Sequence, residues 1–505
     1  MAKTRSPNIV AIDLGSGSVR AAVFDLKGRC KGFASAPLTP STPKDTPLGK
    51  EFNPTRLWSQ VAGLIAASLR KARLSGDDIA AIAATSQREG IAFLDAKGKT
   101  LYIGPNSDTR AFFEGQAIDE ARREEVYRIT GHTPSLLFAP AKLRWFQQQR
   151  PVLTKQITTV LSLDAWLAFQ LSGMGAMELS SAAELGLLDL STRSLAQSLL
   201  DSLGFPPVTP PLVASGTRIG NVTQAAASAT GLKPGTPVIA AGPDTQCGLV
   251  GMGVASLGHI GIVAGTTAPI QMVIDKPLVD EKMRAWTGLH LLSNAWVLES
   301  NAGDAGTSYS WLVDLLLGGV DDKRYAEADE LVKRTPAGSD GAAAFLGPQL
   351  ADMGNVGPKM GGLLFPIPLS IGGTDRGRLL RTSQENLAFA IRANVEQLAA
   401  FSGRTDTPIH IGGGMTRSLQ FCRILSAVLN RDISVAQEAS VSALGAAICA
   451  AVGVGAFHDV RAASIAMAST QRLLKADKLQ ALEYQDHYER WRSLAKALDG
   501  FSGYL

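Results

Sequence analysis

The chain has 505 residues, of which 45% are hydrophobic and 19% are charged, and its formal net charge is +4. At roughly 150 residues per domain, this length predicts two to four compact units with substantial cores. The charges form no basic block, which argues against a nucleic-acid partner. No apolar run approaches the ~18 residues of a membrane helix, which argues against a membrane protein.

The cysteines and the N-terminal segment indicate where the protein resides. Cys30, Cys247, Cys422 and Cys449 are scattered and show no CxxC spacing, so neither disulfides nor zinc are expected. The basic segment 1–7 is followed by an apolar stretch that ends at Asp13, which is too short for a signal peptide. We therefore predict a cytoplasmic protein.

The first half of the chain predicts alternating strands and helices, as in an α/β domain. It opens with a hairpin, in which strands over 8–13 and 19–25 flank a turn at 14–18. The remaining predicted elements are a helix over 57–72, strands over 79–85 and 91–94, helices over 110–129, 141–149 and 164–171, a strand over 237–241 and a helix over 245–250.

The second half repeats this pattern. A hairpin over 259–264 and 269–274, with its turn at 265–267, echoes the first one and suggests two domains of related design. The predicted domains are 1–246 and 247–460, followed by a helical tail, 461–505. The further predicted elements are helices over 304–317, 324–334, 384–401, 419–429, 441–452 and 473–498, and strands over 409–411 and 433–435.

The turn after the first strand has the composition of a phosphate-binding loop. A phosphate needs several converging N–H donors, and glycine lets the backbone approach it closely. Asp13, at the end of the strand, is a candidate Mg²⁺ ligand. An ordinary glycine hairpin is the alternative. The candidate ATP-binding residues of this turn are Gly15, Ser16, Gly17, Ser18 and Arg20.

Two later glycine-containing turns extend this interpretation. Gly265, Thr266 and Thr267 form the second glycine-hydroxyl turn, which suits a more distal phosphate held between two domains that close over it. The run Gly412, Gly413 and Gly414 follows a strand and precedes a helix, where a base or ribose could lie against the backbone. Any strand-to-helix turn favours glycine, so the run alone is weak.

Asp244 is the candidate general base, because it follows a buried strand at the edge where ligands of open α/β sheets bind. A helix N-cap is the alternative role. Gln87, Arg88 and Glu89 are candidate substrate-binding residues, because Arg88 and Glu89 offer hydrogen-bond donors and acceptors for vicinal hydroxyl groups. The alternative interpretation is that Arg88 and Glu89 form a surface ion pair. Another polar cluster lies at a loop-to-helix junction and consists of Asn106, Asp108 and Arg110.

Taken in order, these motifs resemble the FGGY family of carbohydrate kinases. The resemblance implies two actin-like, ribonuclease H-like domains that flank a central cleft, with MgATP as phosphoryl donor. It implies that Asp244 is the base, that Asp13 and Asp244 lie near the metal, and that Thr245 contacts the substrate. The motifs that carry it are 13–20, 87–89, 242–244, 264–267, 361–396, 411–414 and 442–447.

Within the family, the closest resemblance is to autoinducer-2 kinases, which phosphorylate an open-chain dihydroxypentanedione. The matching segments include Ser86 with 88–91, Asn106 with Asp108, and 125–131. Glycerol, ribulose and xylulose kinases are the enzymatic alternatives, and an actin-like nucleotide-switched binding protein is the non-enzymatic one. The switch would be favoured if Arg88, Glu89 and Asp108 pointed away from the site. Whether the protein forms a homodimer is left open.

Overall fold

The computed structural model describes residues 7–206, 208–319, 323–357, 359–368, 375–438, 440–468 and 471–501. These residues form two compact units. The first comprises 1–257, 273–298 and 440–470, and the second comprises 258–272, 299–439 and 471–505. Within the described ranges, no helix combines the length and the apolar composition that a bilayer crossing requires.

The first unit is built on a mixed sheet whose central strands are parallel. Asn8–Leu14 pairs in parallel with Ile79–Ser86, which pairs in parallel with Pro237–Pro243. All seven residues of Asn8–Leu14 are buried, as expected for a strand covered on both faces. The order across the sheet is Arg218–Asn221, Pro237–Pro243, Ile79–Ser86, Asn8–Leu14, Ser18–Asp25 and Cys30–Pro37.

The other elements of the first unit surround this sheet. The additional strands are Ile91–Leu94, Thr100–Gly104, Thr159–Ser162, Met177–Glu178, Leu188–Asp189, Ser194–Leu195 and Leu212–Val213. Trp286–Leu289 is the edge strand of the sheet that includes Trp296–Asp304. The helices are Pro54–Ala72, Phe112–Thr130, Ala139–Gln149, Pro151–Thr154, Leu163–Ser172, Leu179–Glu184, Gln197–Ser202, Gln224–Thr230, Asp244–Gly251, Val441–Gly453 and Val460–Met467, with a 3₁₀ turn at Ser135–Leu137.

The second unit has its own sheet, in which Ile260–Val263 pairs in parallel with Ile409–Gly412, and that strand in parallel with Ile433–Ala436. Thr267–Ile274, Trp296–Asp304 and Gln471–Leu474 belong to the same sheet. The remaining elements are strands Ala343–Phe345 and Gly362–Leu364, helices Gly306–Leu317, Lys323–Arg334, Arg376–Ser402, Leu419–Leu429 and Lys478–Asp499, and 3₁₀ turns at Ala337–Gly341 and Gly414–Arg417.

Local sequence explains where several elements begin and how closely they pack. Asn53 caps the helix Pro54–Ala72, because its side chain accepts from the Arg56 N–H, and Pro54 occupies the first turn. The small residues of the helix Val441–Gly453 allow close contact with Asp244–Gly251. A Cβ on Gly445 would stand 1.9 Å from the Cys247 carbonyl oxygen.

The structure differs from the sequence-based expectations in three places. The compact units do not follow the predicted contiguous domains 1–246, 247–460 and 461–505, because the segment 440–470 packs with the first unit. The tail helix predicted over 473–498 begins at Lys478, because the preceding residues form the strand Gln471–Leu474. Asp304 ends a strand rather than beginning a helix. Residues 369–374 of the predicted motif 361–396 lie outside the described residues.

Candidate active site

Three parallel strands of the first unit bring the predicted catalytic groups to one edge of its sheet. Across the sheet, Asp13 is aligned with Thr85, and Thr85 with Gly242. Asp244 begins the helix that directly follows its strand. The carboxyl ends of adjacent parallel strands are where open α/β sheets bind ligands. The candidate metal ligand Asp13, the candidate base Asp244 and the predicted acceptor-binding residue Gln87 therefore lie at the same edge of the sheet.

Asp13 lies at the bottom of this edge and is 1% exposed. Its Oδ2 accepts from Arg20 Nη1 at 2.9 Å and from the Ser440 hydroxyl at 3.4 Å. Burial raises the pKa of Asp13, and the charge and hydrogen bond of Arg20 oppose the rise. Arg20, predicted to contact ATP, is thus also the ion-pair partner that favours the charged form of this buried carboxyl group.

Asp244 is the first residue of its helix, whereas Pro243 holds the N-cap position that the alternative role of Asp244 required. Burial and the negative charge of Asp13 raise the pKa of Asp244, and Arg88 opposes them, so that the pKa is about 8. The Ser442 hydroxyl donates to the backbone carbonyl of Asp244 at 2.8 Å. A carboxyl group with a pKa this close to neutrality is suited to proton transfer.

A chain of amide contacts connects the first phosphate turn to the predicted acceptor-binding residues. Gln87 donates from Nε2 to the Gly15 carbonyl at 3.1 Å, and its Oε1 accepts from the Asn106 N–H at 3.0 Å. The Asn106 side chain donates to Ser16 Oγ at 3.4 Å. The structure therefore brings Gln87 and Asn106 together with the turn that follows Asp13.

Arg88 and Glu89 are enclosed rather than forming a surface ion pair. Their side chains are 9% and 8% exposed, and Arg88 Nε lies 3.7 Å from Glu89 Oε1. Glu89 has a left-handed backbone, with φ at 57°, which is uncommon for a residue other than glycine. The buried Lys142 ammonium donates to the Glu89 carbonyl at 2.9 Å and helps to hold this conformation.

Asp108 belongs to a buried cluster of polar side chains. It is fully buried, and its carboxylate accepts from the Arg110 Nε at 2.8 Å, from the Lys50 N–H at 2.9 Å and from the Tyr102 hydroxyl. Its acceptor capacity is occupied by these donors. Asp108 therefore stabilises the loop that carries Asn106. Because these donors already occupy its carboxylate oxygens, the predicted direct contact between Asp108 and substrate gains no support.

The glycines of the first turn leave open space where side chains would otherwise stand. A Cβ on Gly17 would meet nothing within 4 Å, and one on Gly15 would lie 3.4 Å from its nearest neighbour, the Ser18 carbonyl. Within the described residues, the Ser16 and Gly17 N–H groups bond to no acceptor. The fold itself does not require glycine here, whereas an anion that approaches the backbone does.

The second unit places its two glycine turns next to each other. Val263 aligns with Gly412 across parallel strands, and the Ala264 N–H donates to the Gly412 carbonyl at 2.8 Å. A Cβ on Gly413 would stand 2.5 Å from the Ala264 carbonyl oxygen, and the backbone there is left-handed, with φ at 101°. By contrast, Gly265 and Gly414 have open space at the Cβ position.

An open cavity of about 250 Å³ lies beside Gly413 in the second unit. Its lining combines apolar groups with charged and polar side chains, as is typical of a small-molecule site. Sequence reasoning found the glycines but missed these residues, because they come from separate elements. They include Arg417, Leu419, Cys422, Val435, Glu438 and Arg472.

The residues present fit a magnesium ion that is held mainly by a bound nucleotide. The described side chains contain no cluster of three or more His, Cys, Asp or Glu residues able to form a metal site. Mg²⁺ at nucleotide sites is bound by one or two carboxylates together with phosphate oxygens and water. Asp13 and Asp244, which interact electrostatically at the same sheet edge, supply that number of carboxylates.

Further polar residues near Asp244 were not predicted from the sequence. Glu184 accepts from Gln246 Nε2 at 2.6 Å and from Arg88 Nη1 at 3.3 Å, and His132 lies on the same carboxylate. The Thr245 hydroxyl in turn donates to Gln246 at 2.6 Å. No spacing rule connects positions 88, 132, 184 and 246, so only the tertiary structure reveals the cluster.

Comparison with protein families covers both units. The N-terminal domain of the FGGY family of carbohydrate kinases matches residues 8–251, and its C-terminal domain matches residues 260–454. An autoinducer-2 kinase from Klebsiella pneumoniae is 31% identical, and the alignment covers 96% of this chain and 93% of that protein. An autoinducer-2 kinase from Escherichia coli is 29% identical over the same fractions.

Solved structures show the same fold. The xylulose kinase from Rhodospirillum rubrum superimposes with a TM-score of 0.84 at 25% identity, covering 98% of this chain and all of the other. The ADP-bound glycerol kinase from Plasmodium falciparum gives a TM-score of 0.81 at 18% identity, covering 97% of this chain and 98% of the other. The predicted α/β fold class is thereby confirmed.

Proposed function

The chain belongs to the FGGY family of carbohydrate kinases and is a phosphotransferase that acts on a hydroxyl group, and on that premise we propose that its acceptor is an uncharged, open-chain polyhydroxy compound of the autoinducer-2 type. The observation that carries the proposal is the grouping of Asp244 with Arg88, Glu89 and Asp13 at one sheet edge. The full-length similarity to autoinducer-2 kinases supports the choice of acceptor.

The charges around Arg88 favour a neutral acceptor over a sugar acid. Arg88 lies between Glu89 and Glu184, and His132 contacts Glu184 from the other side. With His132 protonated, two cations balance two carboxylates, so no net positive charge is left to attract a substrate carboxylate. Hydroxyl groups can still exchange hydrogen bonds with Arg88 and Glu89.

In the proposed reaction, Asp244 accepts the proton of the acceptor hydroxyl as that oxygen bonds to the γ-phosphorus of ATP, and ADP leaves. Mg²⁺, held beside Asp13 and Asp244, supplies charge neutralisation on the phosphates when it is bound. The turns at 15–18 and 265–267 bind phosphates, and Gly412–Gly414, with the neighbouring cavity, binds the nucleoside. A cytoplasmic location stays a prediction.

A screen of acceptors tests this proposal. ADP release from MgATP should depend on an acceptor and should be fastest, by kcat/KM, with dihydroxypentanedione rather than with glycerol, ribulose, xylulose or gluconate. ³¹P NMR of the product would identify the phosphate ester. A higher kcat/KM with gluconate would overturn the argument for a neutral acceptor, and a higher value with glycerol would overturn the autoinducer-2 assignment.

A pair of glycine variants separates ligand binding from folding in the second unit. Gly265→Ala adds a methyl group in open space, so the melting temperature should stay unchanged while the KM for ATP rises about tenfold, because the methyl group blocks the approach of phosphate. Gly413→Ala meets the Ala264 carbonyl and should lower stability by about 1–3 kcal/mol. Steady-state kinetics and thermal unfolding measure the two effects, and an unchanged KM in Gly265→Ala would remove this turn from the ATP site.

A further inference from the structure

A single buried carboxylate in the first unit receives donors from three separate segments. Glu184 is 2% exposed. Its Oε2 lies 3.3 Å from Arg88 Nη1 and 3.6 Å from His132 Nε2, and its Oε1 accepts from Gln246 Nε2 at 2.6 Å. Both oxygens are therefore occupied, and two of the three donors belong to ionisable cations.

The geometry around His132 favours the protonated ring. Its Nδ1 lies 2.6 Å from the Thr130 carbonyl oxygen, and its Nε2 faces Glu184 Oε2. Both neighbours are hydrogen-bond acceptors, whereas a neutral imidazole has only one N–H to donate. Burial disfavours the charged ring, yet the hydrogen bond and charge of Glu184 raise the pKa of His132, with Arg88 opposing the rise.

The surroundings leave the cluster little freedom to rearrange. Arg88 lies over the Trp286 ring at 5.4 Å, and the His132 ring packs 5.2 Å from the same tryptophan. A Cβ on Gly288 would stand 2.9 Å from Glu184 Oε1, so the backbone of that strand closes directly over the carboxylate. Close packing of this kind holds side chains in single orientations.

We propose that Glu184, together with protonated His132, is a positioning residue that holds Arg88 and, through Gln246, Thr245 in the orientation that binds the acceptor alcohol. This inference rests on the proposed function. Neither Glu184 nor His132 needs to touch the acceptor. The carboxylate acts through Arg88 on one side and through the Gln246–Thr245 hydrogen bond, 2.6 Å long, on the other.

Glu184→Gln tests the positioning role. The amide has the same shape, but its NH₂ group must face either Gln246 Nε2 or the two cations, so one of these contacts becomes repulsive. The KM for the acceptor should rise at least tenfold, while the KM for ATP changes less than twofold. An acceptor KM within twofold of the wild-type value, in an enzyme that is active, would overturn the inference.

Glu178→Gln is the matched control, because it lies at the other end of the same short helix, Leu179–Glu184. Its carboxylate is also buried but accepts from Ser180, Ser181 and Ser215 instead of from cations. If Glu184 served only to stabilise this helix, both variants would lower the melting temperature and neither would raise the acceptor KM. We expect a raised acceptor KM in Glu184→Gln alone.

The pH dependence of the acceptor KM provides a second readout. A raised pKa in the folded protein means that the His132–Glu184 contact is present at low pH and is lost as the pH rises through that value. Above it, the acceptor KM of the wild type should rise, because a lone pair then faces Glu184. The groups that act on His132 are Glu184 and Arg88. His132→Gln should have a raised KM at every pH and should lack this dependence.

A measurement without substrates keeps this inference separate from the proposed function. In ¹³C-histidine NMR spectra of the free protein, the signal that disappears in His132→Gln should titrate with a pKa above the ordinary histidine value of 6.5, and Glu184→Gln should lower that pKa. A His132 pKa at or below the ordinary value would overturn the inference, whatever the acceptor screen shows. A wild-type protein that releases no ADP with any alcohol would instead contradict the proposed function.

Discussion

Replacing Asp244 by asparagine should lower kcat about 10²–10⁴-fold, because the variant cannot accept the proton of the acceptor hydroxyl. The side chain keeps its size, and the Ser442 contact to the backbone carbonyl is retained. The KM for ATP should therefore change little. Rapid-quench or coupled assays of ADP release measure the loss.

The same variant should be more stable than the wild type at alkaline pH. The folded-state pKa of Asp244 is about 8, against an ordinary value of 3.8. Between these values the folded chain binds more protons than the unfolded one, so the carboxyl group makes stability fall as the pH rises towards 8. Asparagine carries no charge. The melting temperatures of the two proteins should agree below the ordinary pKa of 3.8 and diverge in favour of Asp244→Asn as the pH rises towards 8, with the full difference present at pH 9.

Asp201→Asn is the control for both measurements, because Asp201 is exposed and its side chain accepts from Gln197 Nε2 at 2.7 Å on the same helix. Its kcat and its pH profile of stability should match the wild type. Substantial turnover in Asp244→Asn would exclude Asp244 as the base. A melting temperature of Asp244→Asn below that of the wild type at pH 9 would contradict the raised pKa of the buried Asp244 carboxyl group.

Replacing Glu385 by alanine should destabilise the second unit by about 3–5 kcal/mol, because it leaves the Arg381 guanidinium buried without its carboxylate. Arg381 Nε donates to Glu385 Oε1 at 2.9 Å, and both side chains are buried. The Tyr484 hydroxyl, from the helix Lys478–Asp499, donates to the same oxygen at 2.9 Å. Urea denaturation measures the loss.

Two further variants identify the cause of that loss. Glu489→Ala removes an exposed carboxylate of the helix Lys478–Asp499 and should stay within about 0.5 kcal/mol of the wild type. The double variant Arg381→Met with Glu385→Leu removes both charges and should recover most of the stability. If the double variant were as unstable as Glu385→Ala, the stranded charge would not be the cause.

The periodic patterns of the chain predicted most elements well, including the hairpin strands, the helix Leu419–Leu429 and the strand Ile91–Leu94. These segments have regular apolar spacing and clear glycine or capping boundaries, which act locally. The strand Gln471–Leu474 was not predicted, and its end was assigned to the predicted tail helix, 473–498. Its identity depends on pairing with Ile433–Ala436, which is a non-local interaction.

The contacts of the predicted site residues likewise depend on the tertiary structure. Gln87 and Asn106 contact each other and the first glycine turn, which the sequence analysis did not predict. Asp108, in the same polar segment as Asn106, is instead enclosed by Arg110 and Tyr102. A loop sequence shows which residues are polar, but the direction of each side chain depends on the surrounding packing.

The sequence by itself determined the family and the α/β character, because glycine turns after strands carry their chemistry in a short stretch of chain. Only the tertiary structure decided that 440–470 packs with the first unit and that Arg88, His132, Glu184 and Gln246 share one carboxylate. The physical reason is distance along the chain. Burial, charge balance and close packing act between segments whose proximity no local pattern encodes.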